Sequence, residues 1–311
     1  MGPLTLPLLA LLIKRVLVIA NPASRRGRRV AGRVWDALRR EGVEGDLVMT
    51  ERAGHAADLA HERAAAYDAV FVVGGDGTAM EVAGALSGTG RPIGIIPGGT
   101  GNLLARALGL PFRVRRLVPE LLRGDHFTVD LGRFVGDGGR RFAIAAGAGI
   151  DASMVAETPS WLKRRLGVLA YTIIAARAVL RTLIRRDWFQ VRVTVDGVVH
   201  ERTAAAVMIA NFGAVLGERI VLGPGIRSDD GVLDACIFSP RNFRDAFRIM
   251  WRLTRKHFVS DDTTLYASGH RIRIETTPPR LFQADGELLG NTPVEIECEP
   301  HAALLLVPRN A

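Results

Sequence analysis

Two stretches decide the fold class of this 311-residue chain: AVFVVGGDGT at residues 69–78 and PIGIIPGGTGN at residues 92–102. In each, a short apolar run typical of a buried strand ends in a glycine-rich loop, and a helix-like stretch follows. Backbone N–H groups at helix N-termini, with the positive end of the helix dipole, suit phosphate. The pair of loops therefore indicates nucleotide triphosphate chemistry.

Glycine allows a polyphosphate to approach the backbone closely, and Asp76 in the first loop can face a magnesium ion that offsets the phosphate charge. Neither G-x-x-x-x-G-K-[ST] nor G-x-G-x-x-G follows a strand in this sequence. This argues against a P-loop NTPase and against an ordinary dinucleotide dehydrogenase. One glycine loop alone would fit a plain strand-to-helix turn equally well, so the interpretation depends on the pair.

Strand-like and helix-like stretches alternate from residue 15 to about residue 125, which predicts βαβ units and a largely parallel sheet. The predicted strands are 15–20, 45–50, 69–73 and 93–96, and the predicted helices are 27–41, 55–66, 78–87, 102–108 and 114–123. Ligands of such sheets bind at the carboxyl ends of the strands, where the loops at Asn21, Gly74 and Pro97 would converge.

After about residue 126 the pattern changes to strands with few helices between them, which predicts an antiparallel β-sandwich. The predicted strands are 126–134, 141–147, 189–196, 199–210, 232–238, 270–276 and 293–299. Asp196-Gly197 between two β-rich runs indicates a hairpin. We therefore predict an α/β chain with a nucleotide-binding domain at residues 1–128 and a β-rich domain at residues 129–311.

Two long helical stretches interrupt the second half, at 161–186 and 242–258. The first has an apolar stripe of Leu162, Leu166, Leu169, Ile173, Leu180 and Leu183, and a basic one of Arg177, Arg181 and Arg185. The second has an apolar stripe of Phe243, Phe247, Met250, Trp251 and Phe258, and a basic one of Arg244, Arg248, Arg252 and Arg255. One interpretation packs the apolar stripes on the core, and the other rests the basic stripes on anionic head groups.

The net charge of +9 and the pI near 10.6 indicate an anionic partner. Only 6% of the residues are aromatic and no nucleic-acid-binding pattern occurs, so we expect a membrane surface and no nucleic acid. Cys236 and Cys298 lack zinc spacing and favour a reducing compartment, the cytoplasm. The apolar stretch from Leu4 to Ile13 is shorter than the roughly 20 residues that span a bilayer. A surface anchor and an extension of the first strand both stay open.

As a set, the motifs resemble the diacylglycerol kinase-like lipid kinases, a family that includes bacterial diacylglycerol and phosphatidylglycerol kinases and the sphingosine kinases. The matching segments are NPAS at 21–24, TERAGHA at 50–56, GGDGT at 74–78 with Glu81, PGGTGNLLAR at 97–106, DGVLD at 230–234 and QADGE at 283–287. The resemblance implies an NAD kinase-like nucleotide domain, a β-rich lipid domain with the active cleft between them, and a chain end, 302–311, that returns to the first domain. It also implies ATP and Mg²⁺ as cofactors.

The predicted nucleotide site combines N–H and hydroxyl donors with residues matched to the family. It comprises Asn21, Pro22, Ala23, Ser24, Arg25, Thr50, Gly74, Gly75, Asp76, Gly77, Thr78, Ala79, Met80 and Thr100. Two of these depart from the family, which often has Gly in place of Arg25 and Asn in place of Met80, although Arg25 and Arg26 can still bind phosphate through their guanidinium groups. From spacing alone, Thr50 and His55 are equally consistent with capping the 55–66 helix.

Asp285-Gly286-Glu287 is the predicted acid/base site. A lipid hydroxyl is a poor nucleophile until a carboxylate takes its proton, and two carboxylates around a glycine can raise each other's pKa. The matched motif implies that Glu287 accepts the proton and that Asp285 is its essential companion. From the residues alone, a plain Asp-Gly hairpin turn is the alternative.

The resemblance also implies a second, structural magnesium site. Asp230 would supply a carboxylate, Arg227 and Val232 would supply carbonyl oxygens, and Asp130 would be linked to the metal region through water. From composition alone, a solvated acidic turn is the alternative.

Together these features predict an ATP-dependent lipid kinase, peripheral at the inner face of the membrane, that phosphorylates a lipid hydroxyl. Diacylglycerol is the first candidate acceptor, ahead of phosphatidylglycerol, undecaprenol and long-chain bases. The family often has a Tyr-Gly-Gly type segment where this chain reads FGAVLG at 212–217, and this difference leaves the acceptor open. The alternatives are an NAD kinase-like enzyme acting on a soluble acceptor and a non-catalytic nucleotide-sensing protein that docks on membranes. The expected partners are a membrane lipid substrate and an anionic membrane surface, and a homodimer is kept as a candidate assembly.

Overall fold

The computed structural model describes residues 13–136, 138–150, 180–182, 184–215 and 220–309. The predicted apolar stretch up to residue 12, most of the 161–186 helix and residues 216 and 217 of the 212–217 segment lie outside the described residues. The chain divides into two compact units, Met1–Thr128 with Ala303–Ala311, and Val129–Ala302.

The first unit is built on a parallel sheet. Its strands are β1 (Arg15–Ala20), β2 (Glu44–Met49), β3 (Ala69–Gly74) and β4 (Pro92–Pro97), in the order β2-β1-β3-β4. Leu304 and Leu305 of the last strand, β18 (Val294–Val307), pair in parallel with β4. The helices are α1 (Gly27–Arg40), α2 (His55–Arg63, followed by a 3₁₀ turn at Ala64–Ala66), α3 (Asp76–Ala85), α4 (Leu103–Ala107) and α5 (Val114–Leu122).

Continuous apolar runs form this sheet because both of its faces are buried. Every residue of β3 is buried, and Phe71 is fully excluded from solvent. Gly94 on the neighbouring strand faces the Phe71 ring, where an added Cβ would lie 2.6 Å from a ring carbon. The predicted parallel α/β architecture is confirmed.

The second unit is antiparallel and β-rich. Its strands are β5 (Asp125–Phe134, which begins in the first unit), β6 (Arg141–Phe142), β7 (Ala145–Gly149), β8 (Phe189–Val195), β9 (Val198–Ala204), β10 (Ala206–Ala210), β11 (Ala214–Val215), β12 (Ile220–Val221), β13 (Leu233–Phe238), β14 (Thr264–Gly269), β15 (Arg271–Thr277), β16 (Leu281–Ala284) and β17 (Glu287–Asn291). A helix, α6, spans Phe243–Arg255.

Two sheets of this unit pack face to face, as in a β-sandwich. One has the order β14-β13-β10-β7-β16-β17, and the other has the order β18-β15-β8-β9. The core between them contains Val193 and Ile274 from one sheet and Ile209 and Phe282 from the other. Asp196 and Gly197, both with positive φ, form the predicted hairpin turn between β8 and β9.

The α6 helix lies where the sequence predicts it, but its apolar stripe does not pack on the core. Ile249 and Leu253 are the buried side chains, and they join a cluster with Cys236 and Phe238. The large residues of the predicted stripe within the helix are exposed: Phe243, Phe247, Met250 and Trp251. The core-packing interpretation is therefore wrong for these four residues, because a second, smaller apolar pair of the helix faces the sheet. Phe258, the fifth residue of the predicted stripe, follows the helix and packs against the same cluster.

Among the described helices, none is both long and apolar enough to cross a membrane. Of the predicted 161–186 stripe, Leu180 is described and its side chain is exposed. Both cysteines are free thiols, and burial raises the pKa of Cys298 to about 12.

Candidate active site

Three loops of the first unit interlock after the carboxyl ends of β1, β3 and β4. The Gly74 carbonyl oxygen accepts hydrogen bonds from the N–H groups of Gly98 at 2.8 Å and Gly99 at 3.0 Å. The Gly98 carbonyl oxygen accepts from the N–H group of Arg26 at 3.2 Å. The backbone itself therefore fixes the loops to one another, and the structure brings the three motifs together.

Glycine is required where two of these loops cross. A Cβ on Gly99 would lie 2.5 Å from the Gly75 Cα atom, closer than real Cβ contacts come. A Cβ on Gly74 would lie 2.7 Å from the Thr78 Cβ atom. A side chain at Gly99 would separate the two loops, and one at Gly74 would collide with Thr78 of the same loop, so bare backbone forms this edge of the sheet.

The helix after the first loop begins two residues earlier than predicted. Gly75 has an extended backbone and is the N-cap residue, and its carbonyl oxygen accepts the Ala79 N–H group at 3.1 Å. Asp76, Gly77 and Thr78 thus form the first turn of α3, where N–H groups have no partner within the helix. These donors, with the helix dipole, can bind an anion.

Asn21 ties the first loop to this turn. Its Nδ2 group donates to the Thr78 hydroxyl at 3.0 Å, and its Oδ1 atom accepts the Ala23 N–H group at 2.9 Å. The Ser24 hydroxyl donates to the Asn21 carbonyl oxygen at 2.9 Å. Arg25 is exposed beside these residues. The first loop is therefore held by its own polar side chains, with a guanidinium group in solvent.

Asp76 connects the two glycine loops. Its Oδ1 atom accepts the Leu104 N–H group at 3.1 Å, at the start of α4. Burial raises the pKa of this carboxyl group, although hydrogen bonds from the backbone around Leu104 oppose the rise. In the second loop the Asn102 side chain makes two hydrogen bonds to Gly99. Its Oδ1 atom accepts the Gly99 N–H group at 2.9 Å, and its Nδ2 group donates to the Gly99 carbonyl oxygen at 3.0 Å.

The capping alternative for Thr50 and His55 does not hold. Gly54 is the N-cap residue of α2 and makes no side-chain cap. Glu81 fills that role from α3, because its two carboxylate oxygens accept the N–H groups of Gly54 at 3.0 Å and Ala56 at 3.1 Å. Thr50 is buried directly after β2.

The other predicted nucleotide residues occupy distinct positions. Ala79 is buried in the core, and Met80 is half-buried one residue further along α3. Thr100 is half-buried in the second loop, and Pro22 and Ala23 lie in the first loop.

In the second unit, Asp285 is turned back onto the chain. Asp285 and Gly286 have φ values of +46° and +84° and connect β16 to β17 in a two-residue turn. The Asp285 carboxylate accepts three backbone N–H groups, from Ala143 at 2.8 Å, Ile144 at 2.9 Å and Ala145 at 3.1 Å. This carboxylate therefore holds a turn and a strand end in place.

Glu287 has a different environment. It is the first residue of β17, its side chain is half exposed, and it forms an ion pair with Arg140. Glycine and the turn thus direct the two carboxylates of the motif to different partners, one to backbone N–H groups and one to an arginine.

Asp130 is fully buried and pins the acidic turn predicted to hold the second metal. Its Oδ2 atom accepts the Gly231 N–H group at 2.7 Å, and its Oδ1 atom accepts the His301 N–H group at 2.6 Å. Asp130 therefore contacts the turn through a direct hydrogen bond. The Nδ2 group of Asn211, which the sequence analysis missed, donates at 2.7 Å to the carbonyl oxygens of both Asp130 and Ala143.

The predicted metal turn offers few side-chain ligands. Asp230 is exposed and its Oδ1 atom accepts the Val232 N–H group at 3.3 Å. The Arg227 side chain forms an ion pair with Asp229 at 3.0 Å. Arg227 could therefore contribute only its backbone carbonyl oxygen to a metal. Across the described ranges, no group of three or more His, Cys, Asp or Glu side chains could hold a metal ion.

The fold and the hydrogen-bonded loops define the class: a parallel α/β unit with two glycine loops at helix N-termini, followed by an antiparallel β-rich unit. Residues 15–134 match the diacylglycerol kinase catalytic domain, and residues 144–307 match the YegS C-terminal NAD kinase beta sandwich-like domain. The chain belongs to the diacylglycerol kinase family.

Individual relatives agree with this assignment. Diacylglycerol kinase from Mycobacterium tuberculosis is 30% identical over 96% of this chain and 96% of its own length. The uncharacterized protein sll0036 from Synechocystis sp. is 31% identical over 77% of this chain, which spans only 54% of that relative. A solved structure from Bacillus anthracis str. Sterne, a candidate diacylglycerol kinase, is 25% identical, covers 95% of this chain and 96% of its own, and has a TM-score of 0.77.

Proposed function

We propose that this protein is an ATP-dependent lipid kinase that transfers the γ-phosphoryl group of ATP to a lipid hydroxyl, with diacylglycerol as the acceptor. The observation that carries the proposal is the interlocking of the two glycine loops through the Gly74 carbonyl oxygen, which leaves the first-turn N–H groups of α3 beside bare backbone. Phosphoryl transfer depends mainly on positioning and charge stabilisation, and rigid N–H donors supply both.

Asn21, Thr78 and Thr100 add polar groups to these N–H donors, and Arg25 adds an exposed guanidinium group. Magnesium would neutralise phosphate charge when bound. Asp76 is the carboxylate of this unit that suits such a hard cation, because Mg²⁺ is commonly held by one or two carboxylates and by substrate phosphates. The Asp230 carboxylate with the Arg227 and Val232 carbonyls has the oxygen donors that a structural Mg²⁺ takes.

We assign the proton acceptor to Glu287. A general base needs a lone pair that can reach the acceptor hydroxyl. Glu287 forms an ion pair with Arg140, but its side chain is half exposed, so the carboxylate is not enclosed by the protein. The Asp285 carboxylate already accepts three backbone N–H groups, so we assign it a positioning role.

Labelled phosphate transfer tests the proposal. The protein is incubated with γ-labelled ATP, Mg²⁺ and mixed micelles of diacylglycerol, phosphatidylglycerol, undecaprenol or a long-chain base, with NAD as the soluble acceptor. We expect labelled phosphatidic acid from diacylglycerol. Labelled NADP would support an NAD kinase-like enzyme, and ATP binding without transfer would support a nucleotide-sensing protein.

Two variants sharpen the test. Glu287→Gln should retain ATP binding and lose transfer. Glu201→Gln is the matched control, because Glu201 is also an exposed strand glutamate paired with an arginine, Arg192 at 2.6 Å. Full transfer by Glu287→Gln would remove Glu287 from the role. The proposed enzyme would work as a peripheral protein at the inner face of the membrane, where its substrate is.

A further inference from the structure

The outward side of α6 carries an apolar surface that the described protein does not cover. Phe243, Phe247, Met250 and Trp251 are 55%, 71%, 43% and 52% exposed, and their spacing puts them on one side of the helix. We call these four residues the α6 outer face. Single exposed apolar residues are ordinary, but large contiguous patches mark interaction sites.

The helix that presents this face is firmly held. Ile249 and Leu253 bury its opposite side against Cys236 and Phe238. The Asn242 side chain caps the N-terminus by accepting the Asp245 N–H group at 3.0 Å. The outer face is therefore displayed by an ordered helix.

Two aromatic rings of the face stack on each other, and one of them also contacts an arginine. Phe247 and Trp251 stack with ring centroids 6.4 Å apart and planes at 21°. The Arg255 guanidinium carbon lies 4.4 Å from the centroid of the Trp251 ring. Flat aromatic groups beside a guanidinium group present one apolar surface with a cationic edge.

The charge around the face is strongly one-sided. Residues 243–256 contain five cationic side chains and one acidic side chain, Asp245. Arg244, Arg248, Arg255 and Lys256 are exposed, and Arg248 lies 3.1 Å from Asp245. An occupant of this face must therefore combine apolar groups with negative charge.

Two occupants can be compared on this basis. A second copy paired about a two-fold axis would bring the arginines of one α6 against those of the other, which is unfavourable. An anionic bilayer offers phosphate groups to the arginines and an interfacial layer to the aromatic rings, where Trp and Phe side chains bind well. The chemistry of the face thus fits a lipid surface.

We propose that the α6 outer face docks the protein on an anionic membrane, with Phe247 and Trp251 inserted at the level of the head groups and the arginines on lipid phosphates. The proposal concerns attachment alone. It is measured without nucleotide or acceptor, so its failure is distinguishable from failure of the proposed lipid kinase activity.

Vesicle sedimentation of the full chain tests docking. Wild-type protein should bind vesicles that contain phosphatidylglycerol more tightly than vesicles of phosphatidylcholine alone. The double variant Phe247→Ser with Trp251→Ser should lose about tenfold or more in partitioning to the anionic vesicles, because it removes the inserted apolar area. Val199→Ser is the matched control, since Val199 is an exposed apolar residue, 54% accessible, on the β9 strand of the same unit.

A second set of measurements separates the charges and the alternative occupant. Replacing Arg244 and Arg255 with Gln should abolish the preference for anionic vesicles. Quenching of tryptophan fluorescence by brominated lipid should fall in Trp251→Phe, because Trp251 is in the bilayer. Equal vesicle binding by wild type and the Phe247/Trp251 variant would overturn the proposal. A wild-type dimer that this variant converts to a monomer, without a change in vesicle binding, would assign the face to a second copy.

Discussion

Asn211 donates a hydrogen bond from Nδ2 to the carbonyl oxygen of Asp130 at 2.7 Å, inside the β-rich unit. The same amide donates to Ala143, whose N–H group binds Asp285. One buried side chain therefore links the aspartate that pins the 228–231 turn with the backbone that holds Asp285.

Replacing Asn211 with Leu should strongly destabilise the protein. The substitution leaves two buried carbonyl oxygens without their donor, and each such loss costs about 1–3 kcal/mol, so the free energy of unfolding should fall by ~2–6 kcal/mol. Urea denaturation measures the change. Gln190→Ala, which removes an exposed hydrogen bond to Thr203, is the control and should change stability little. Equal midpoints for the two variants would refute the linking role of Asn211.

Asp285 and Glu287 should respond differently to removal of charge. Asp285→Asn replaces one acceptor oxygen with a donor amide that faces backbone N–H groups, so the free energy of unfolding should fall by ~1–3 kcal/mol. Glu287→Gln should leave stability nearly unchanged because the Arg140 ion pair is half exposed. Thermal unfolding of both variants, beside the transfer assay, checks the contrast. An Asp285→Asn protein as stable as wild type would contradict the positioning role.

Gly99→Ala should weaken nucleotide binding and lower the melting temperature. The added Cβ would lie 2.5 Å from the Gly75 Cα atom and would force the loops apart. We expect ATP affinity to fall about tenfold or more, a loss of ~1.4 kcal/mol or more. Titration with a fluorescent ATP analogue measures it. The matched control is Gly32→Ala in α1, where a Cβ meets nothing within 4 Å and should stabilise the helix by ~0.5–1 kcal/mol. Unchanged affinity in Gly99→Ala would count against the loop site.

Asp234 should make stability fall with rising pH. It is 8% exposed, and burial raises the pKa of its carboxyl group, with Asp230 adding to the rise and the Ser268 hydroxyl opposing it. Because the folded protein holds this proton more tightly than the unfolded chain does, the stabilising effect of protonation is present at low pH. It is lost as pH rises from the unfolded pKa, about 3.9, through the folded value.

Asp234→Asn removes this titration and keeps an acceptor for Ser268. The variant should therefore gain stability relative to wild type near neutral pH and gain less at about pH 4, where a larger share of wild-type Asp234 is protonated. Urea denaturation at the two pH values measures the difference. A stability difference that is the same at both pH values would show that the Asp234 carboxyl group does not carry the effect.

The sequence predicts much of the first unit because continuous apolar runs and glycine loops are local signals. The start of α3 is harder to predict from the sequence. Gly75 is extended and caps the helix, so α3 begins at Asp76 and the loop is shorter than predicted. The strand β14 was missed because its sequence, TLYASG, has no clear alternation of polar and apolar residues. The pair β16 and β17 was missed because each strand is short.

The candidate site shows where local reasoning ends. The Asp-Gly-Glu motif marks a turn, but the positive φ of Asp285 sends its carboxylate to backbone N–H groups 140 to 142 residues earlier in the chain. Asn211 has no motif around it, and its role comes only from the contacts of the folded sandwich. On α6, helical periodicity identifies one apolar stripe, and the Ile249 and Leu253 pair that faces the sheet was missed because only the contacts of the fold distinguish it.

The hydrogen bonds from Gly98 and Gly99 to the Gly74 carbonyl oxygen are formed in the protein alone. A ligand that binds at this edge therefore meets loops that have already lost their conformational freedom, and most of its interaction energy can go into affinity. Such preorganisation also means that the two loops cannot adapt separately. A change in the length of either loop requires a compensating change in the other, which makes the pair a single unit for engineering nucleotide preference.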